Sequence, residues 1–154
     1  MNNPFENIRQ VRRHLLNHVS ELTVDQLNRV PPGFNNNIIW NLAHLVAAQQ
    51  GICHEHPGLD PIVGRSFIEA YKPGTKPVDN LNEKEIEMIK SLLFSTIDQF
   101  EADYQKGLFI NYDPRPTRYG VTLNSIEDAL QFLLFHEGLH TGYIWALKRT
   151  LLNS

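Results

Sequence analysis

The chain has 154 residues, of which 42% are hydrophobic and 20% charged, and these values are typical of a single globular domain spanning residues 1–154. Its formal net charge of -3 gives no reason to expect a nucleic acid or an anionic membrane as a partner. The polar start of the chain and the lack of a long apolar run predict neither a secretory signal nor a membrane span. Because the single cysteine, Cys53, cannot form an internal disulfide, we expect a cytoplasmic protein.

The prolines divide the chain into four long windows without proline, at residues 5–30, 33–56, 78–113 and 117–154. Proline is excluded from helix interiors because it lacks an N–H group and clashes with the preceding turn. In each window apolar residues recur every three or four positions, which is the spacing of one face of a helix. The sequence therefore predicts an all-α fold, an up-and-down four-helix bundle with long loops.

The first two windows carry signals for three helices. An apolar stripe that begins at Phe5 predicts a helix, and a capping box at Thr23–Gln26 predicts a short second helix before Pro31. In the second window, Asn36 or Asn37 can cap a helix that runs through the segment IIWNLAHLVAAQQGI. Apolar or small residues cover almost every face of that segment, so we expect it to be largely buried.

The last two windows each predict one long helix. The third helix begins after a cap at Asn80 or Asn82 and ends near Gly107. The fourth begins with a capping box at Asn124–Glu127 and carries an apolar stripe from Ile126 to Leu147. Capping residues therefore mark where both helices begin.

Two connections, at residues 54–80 and 106–122, are longer than a helix bundle normally needs. We therefore expect them to form walls of a ligand site, and we expect a short extended piece around Arg118–Val121. Three aromatic residues of these connections are candidates for lining the pocket: Phe67, Tyr71 and Tyr119.

The last predicted helix carries the strongest chemical signal, in the segment FHEGLH. His136 and His140 are one turn apart and lie on the apolar stripe, so both side chains should point into the bundle. Two buried imidazoles need partners, and a divalent metal satisfies both at once. A pair of core histidines satisfied by hydrogen bonds is the alternative.

HExxH is also the zinc signature of a class of metalloproteases, whose third ligand follows the second histidine. Here no His, Asp, Glu or Cys follows His140, so the third ligand must lie upstream and the HExxH-type metalloprotease is the less favoured alternative. His44 is the best candidate, because it lies mid-helix on a face shared with Trp40 and small residues. Glu137 is a candidate general base through water, but we expect it to face solvent or a neighbouring subunit.

Two other histidine groups are weaker candidates for a metal site. His14 and His18 share the spacing of the trio but lie on or beside the polar flank of their helix, so we interpret them as a solvated pair. The segment Cys53–His56 falls at the end of the second long helix, where adjacent side chains diverge, and we expect it at the surface.

Several segments together resemble the DinB/YfiT-like family of small four-helix bundles. They are WNLAHL around His44, YGVTL at 119–123 and FHEGLHTGYI at 135–144, in the same order along nearly all of the chain. The resemblance implies a divalent metal, most often Ni2+ or Zn2+, bound by His44, His136 and His140. One position departs from the family pattern, since Tyr143 stands where a glutamine often follows the last histidine. We therefore do not transfer a substrate, and we add Tyr143 and Trp40 to the candidate pocket residues.

The resemblance also implies an activity and an assembly. Some members of the family resemble thiol S-transferases, in which the metal activates a low-molecular-weight thiol for attack on an electrophile. We therefore expect a metal-dependent thiol transferase or related hydrolase, with a small thiol or electrophile as its partner. The alternative is a non-catalytic module that binds metal or thiol. A homodimer is implied too, and an apolar strip at Phe132, Phe135 and Leu139 is consistent with it, although a well-covered central helix would show the same strip.

Overall fold

The computed structural model of the protein describes residues 3–153, and in that range four long helices form a bundle. The long helices are α1 (Pro4–His18), α3 (Ile38–Gln50), α5 (Glu83–Gln105) and α6 (Ile126–Leu152). Two short helices, α2 (Val24–Asn28) and α4 (Arg65–Tyr71), lie in the connections, and a hairpin of β1 (Arg115–Pro116) and β2 (Thr122–Leu123) precedes α6. The predicted all-α four-helix fold is confirmed. Within residues 3–153, no helix is both long and apolar enough to cross a bilayer.

The directions of the helices follow from the contacts at their ends. Asn3 at the start of α1 donates to Glu101 near the end of α5, so these helices are antiparallel. Lys148 near the end of α6 donates to the carbonyl of His18 at the end of α1, so α1 and α6 are parallel.

Helix α3 completes the bundle between α5 and α6. Gln49 at its end donates to the carbonyl of Thr96 in the second half of α5, whereas Asn41 at its start contacts His140 in the second half of α6. The long helices therefore run up, down, down and up, which differs from simple alternation. The reason is the long connection between α3 and α5, which returns the chain to the end of the bundle where α3 begins. Helix α5 therefore runs in the same direction as α3.

Helix α3 lies at the centre of the core, as the sequence predicted, and every residue of it except Ala48 is buried. On α1, Arg12 faces the interior and is buried, whereas its neighbour Val11 is only half-buried. The apolar stripe alone could not indicate this, because a buried charge requires a partner on another helix.

Most of the predicted helix ends are confirmed. Thr23 and Asn82 each form a capping box, and Gly107 adopts φ 70°, the left-handed conformation that ends α5. Helix α6 begins one residue later than the predicted box, because Ser125 is the residue that accepts the amide hydrogen bond from Asp128.

Two local expectations were wrong. Arg118–Val121 is not extended, since it forms the turn of the hairpin, in which Thr117 N–H donates to the Val121 carbonyl at 2.8 Å. Cys53 and His54 are not at the surface. Helix α3 continues into a π-helical turn, Gly51–Glu55, which directs both side chains into the core, where His54 contacts Asp103.

Candidate metal centre

Three histidines from two helices meet beside the bundle core. His44 comes from α3, and His136 and His140 come from successive turns of α6. One ring nitrogen of each lies within 4.8 Å of the other two. The Nε2 atoms of His44 and His136 are 3.2 Å apart. Two nitrogens bound to one zinc ion in tetrahedral geometry would be about 3.3 Å apart, so this spacing fits a shared metal.

The hydrogen bonds of His44 and His140 fix which nitrogen is free to bind a metal. His44 Nδ1 lies 2.6 Å from the backbone carbonyl oxygen of Tyr71, which can only accept, so Nδ1 carries the proton. His140 Nδ1 lies 2.8 Å from the side-chain oxygen Oδ1 of Asn41. Both imidazoles therefore present an unprotonated Nε2 to the centre, the arrangement typical of metal-binding histidines.

Asn41 is itself held in one orientation. Its Nδ2 donates to Oδ1 of Asn36 at 2.9 Å and to the carbonyl of Asn37 at 2.8 Å. Because both amide hydrogens are used, the oxygen must face His140. The sequence interpretation missed Asn41, although its position three residues before His44 on the same helix face could have indicated it.

His136 lacks the polar support that its two neighbours have. Its Nδ1 is buried and has no hydrogen-bond partner among the described residues, and its Nε2 faces the free Nε2 of His44. Two nitrogen lone pairs facing each other at this distance repel unless a proton or a cation lies between them. The donor set therefore fits a divalent cation.

Burial keeps the three imidazoles neutral. Loss of water, together with a smaller effect of the neighbouring histidines, lowers the pKa of His136 to about 2 and that of His140 to about 3. Burial also lowers the pKa of His44, and the charge of nearby Arg118 adds to this effect. Because a metal binds the neutral ring, the site needs no deprotonation at neutral pH.

A cavity of about 840 Å³ opens beside the trio, which is large enough for a small organic ligand. As predicted, both long connections contribute to its walls, one through residues 68–69 and 72–76 and the other through 115–119. Trp40 also lines the cavity, and its ring stacks on His44 with the ring centroids 4.9 Å apart and an interplanar angle of 9°. The Trp40 indole N–H donates to Thr75 Oγ1 at 3.2 Å, which holds this wall in place.

The other predicted lining residues divide into two groups. Tyr119 and Tyr143 line the cavity. Phe67 and Tyr71 do not, because α4 turns both rings toward the apolar core, where they contact each other with ring centroids 4.8 Å apart. Tyr71 still reaches the site, but through its backbone carbonyl.

The predicted orientation of Glu137 was wrong. Its side chain is 1% exposed and faces neither solvent nor the cavity. Oε1 accepts hydrogen bonds from Nε and Nη2 of Arg12, which is itself fully buried. This pairing could not be predicted from the sequence, because the two residues are far apart in the chain. A general-base role for Glu137 therefore has no support from its position.

The competing histidine pair lies at the surface. His14 is exposed and His18 half-buried, and both rings contact Trp145 on α6, with centroid distances of 5.8 and 5.7 Å. Neither residue belongs to a cluster with the geometry of a metal site in the described part of the chain.

Comparison with known protein families agrees with this centre. The family model described as DinB superfamily matches residues 7–144, a span that contains His44, His136 and His140. The chain belongs to the DinB superfamily. The predicted family is thus confirmed, and the match includes all of α3 and α5 and most of α1 and α6. Among curated proteins, none matches the chain.

Proposed function

We propose that this DinB superfamily protein is a metal-dependent enzyme in which His44, His136 and His140 bind Ni2+ or Zn2+. The convergence of three neutral imidazoles, two of them buried and that of His140 half-buried, at the wall of a ligand-sized cavity carries this proposal. Three protein ligands are typical of catalytic zinc sites, whereas structural sites usually have four. No fourth side chain joins the cluster within residues 3–153, so the cavity side is available to a ligand.

The reaction we propose is transfer of a low-molecular-weight thiol to an electrophile. The sulfur atom forms a bond to carbon, the leaving group departs with its electron pair, and the thiol proton is released. A divalent metal bound by the trio would act as a Lewis acid and stabilise the thiolate at neutral pH.

The sulfur nucleophile must come from the substrate, because the chain's own thiol is unsuitable. Cys53 is completely buried, and burial raises the pKa of its thiol far above the usual range. The residues that act on the substrate are therefore those that orient it. Trp40 and Tyr143 provide apolar walls next to the histidines, and Asn41 and the Tyr71 carbonyl keep the imidazoles aligned.

The first test measures the metal content of untagged protein by mass spectrometry. We expect close to one metal ion per chain in the wild type and loss of most of it in His44→Ala. The matched control is the double variant His14→Ala/His18→Ala, which removes two surface histidines and should keep its metal. Retention of the metal in His44→Ala would contradict the ligand set.

The second test measures turnover by the metal-loaded protein. Zinc- and nickel-loaded samples are incubated with a small thiol and a chlorinated aromatic electrophile, and the thioether is quantified by mass spectrometry. We expect a rate above that of the metal-free protein and above that of His44→Ala. A stoichiometric metal without any thioether from a panel of thiols would favour a binding module instead.

A further inference from the structure

The cavity beside the histidines has a surplus of basic residues. Its lining contains four basic side chains and two acidic ones, in a chain with 14 Lys and Arg and 17 Asp and Glu. The basic residues are Lys72, Lys76, Arg115 and Arg118, and the acidic residues are Glu55 and Glu69. The positive charge of this wall is thus opposite to the charge of the whole protein.

Ion pairs within the protein do not neutralise this surplus. Glu69 pairs with Lys72 at 2.5 Å, and Glu55 faces Arg65, which does not line the cavity, at 3.4 Å. In the described part of the chain, neither Arg115 nor Arg118 forms an ion pair or a side-chain hydrogen bond. The guanidinium of Arg118 lies 5.8 Å from the centroid of the Tyr119 ring, a contact that leaves its hydrogen-bond donors free.

The hairpin holds both arginines on an ordered support. Across its turn, the Thr117 N–H and hydroxyl both donate to the Val121 carbonyl, at 2.8 and 2.7 Å. Leu123 on β2 anchors the hairpin in the core with 1% exposure. Arg118 lines the same cavity as the three histidines. A ligand that fills this cavity next to the histidines therefore also lies next to this guanidinium.

We propose that Arg115 and Arg118 form a subsite for a carboxylate or phosphate group on the molecule that occupies the cavity. This rests on the proposed function, since the same molecule presents its thiol to the histidine trio. Arginine is suited to the task because its planar guanidinium can donate two parallel hydrogen bonds to either anion. The substrate is then an anionic thiol, and an uncharged thiol of similar size binds more weakly.

The test compares two thiols that differ in charge. Mercaptosuccinate and the uncharged 1-thioglycerol are titrated into zinc-loaded protein by calorimetry. We expect the wild type to bind mercaptosuccinate at least about tenfold more tightly, the effect of one charge-assisted contact. In Arg115→Gln/Arg118→Gln that preference should disappear, while affinity for 1-thioglycerol stays the same. The matched control, Arg29→Gln/Arg149→Gln, removes two arginines that do not line the cavity and should keep the preference.

Two outcomes would overturn the subsite. One is equal affinity of the wild type for both thiols. The other is a preference that survives in Arg115→Gln/Arg118→Gln, which would show that the carboxylates bind the zinc rather than the hairpin.

Failure of the proposed function gives a different result, in which neither thiol binds the zinc-loaded protein more tightly than the metal-free protein. The subsite is then judged with succinate and inorganic phosphate, which carry no thiol. If the wild type binds either anion and Arg115→Gln/Arg118→Gln does not, the result supports the subsite. Which of the two anions binds shows whether the subsite recognises carboxylate or phosphate. No binding of either anion would overturn it.

Discussion

The carboxylate of Glu137 and the guanidinium of Arg12 form an ion pair in the interior of the bundle, at 2.6 Å and with side-chain exposures of 1% and 0%. Arg12 also donates from Nη1 to the carbonyl of Leu93 at 2.6 Å, so one side chain connects α1, α5 and α6. Glu137 directly follows His136 in the chain. The ion pair therefore fixes the rotation of α6 at the position where that helix presents its histidines, and the glutamate of the HExxH pattern has a structural role.

Removing one partner of this pair should strongly destabilise the protein. In Glu137→Ala the Arg12 charge remains buried and keeps only the Leu93 carbonyl, so we expect a loss of about 3–5 kcal/mol in the free energy of unfolding. Urea denaturation measures it. The double variant Arg12→Met/Glu137→Leu leaves no unpaired charge and should be more stable than Glu137→Ala. A loss below about 1 kcal/mol in Glu137→Ala would show that the pair does not hold the bundle together.

Asn41 should determine metal affinity without contacting the metal. In Asn41→Ala the Nδ1–H of His140 loses its acceptor, so the imidazole is less basic and less well oriented. We expect zinc affinity to fall about 10- to 100-fold, measured by competition with a chelating dye. The control is Asn35→Ala, which removes an exposed asparagine from the rim of the same cavity and should leave the affinity unchanged. Equal affinities of Asn41→Ala and the wild type would contradict the role of this hydrogen bond.

The metal-free protein should lose stability as the pH falls below about 6.5. The folded state keeps His136 and His140 neutral because their pKa values are lowered to about 2 and about 3, whereas in the unfolded chain both take up protons near the ordinary histidine pKa of about 6.5. The unfolded state thus binds more protons in this range, and stability rises with pH until about 6.5. Each such histidine contributes up to about 1.4 kcal/mol per pH unit.

This dependence is best measured between pH 5 and 6.5, because most carboxylates titrate below that range. Urea denaturation of chelator-treated protein gives the slope of the unfolding free energy against pH. His136→Leu removes one buried titrating group, so its slope should be smaller by up to about 1.4 kcal/mol per pH unit. An unchanged slope in His136→Leu would mean that His136 is already protonated in the folded protein.

Periodicity and capping residues were sufficient to predict the four long helices and α2, because they are local properties of the chain, but α4 (Arg65–Tyr71) was not predicted. The same periodicity placed His136 and His140 on the inward face of one helix, and the structure brings His44 to them from another. The contacts that support the centre could not be predicted in the same way. Tyr71 contributes a backbone carbonyl, which no side-chain pattern reveals. Arg12 and Glu137 form their ion pair only when α1 and α6 are packed together.

The direction of the helices was also beyond the sequence pattern. An amphipathic stripe on α5 (Glu83–Gln105) is equally compatible with either direction, and the choice depends on the path of the connection before it. That connection contains α4 and residues 72–82, and it spans the bundle rather than forming a short turn. Long connections therefore carry information about topology that helix periodicity lacks.

The exposed apolar side chains of α6 make homodimer formation a testable proposal. Phe135 is 51% exposed and Leu139 42% exposed, and Tyr119 on the hairpin extends the apolar surface by contacting Phe135 with ring centroids 5.3 Å apart. Surfaces of this kind are typical of protein interfaces. We propose that two copies of the chain associate through this face, next to the opening of the cavity.

A single charge at the centre of that surface should dissociate the dimer. In Phe135→Lys a buried ammonium group would replace an aromatic contact, so we expect the dissociation constant to rise at least about 30-fold, measured by analytical ultracentrifugation. Phe135 does not line the cavity, so metal content should stay the same and serve as a check of folding. The control is Met88→Lys, which places the same charge at an equally exposed apolar position on α5. Dimers that persist in Phe135→Lys, or a wild type that is monomeric at high concentration, would refute association through this face.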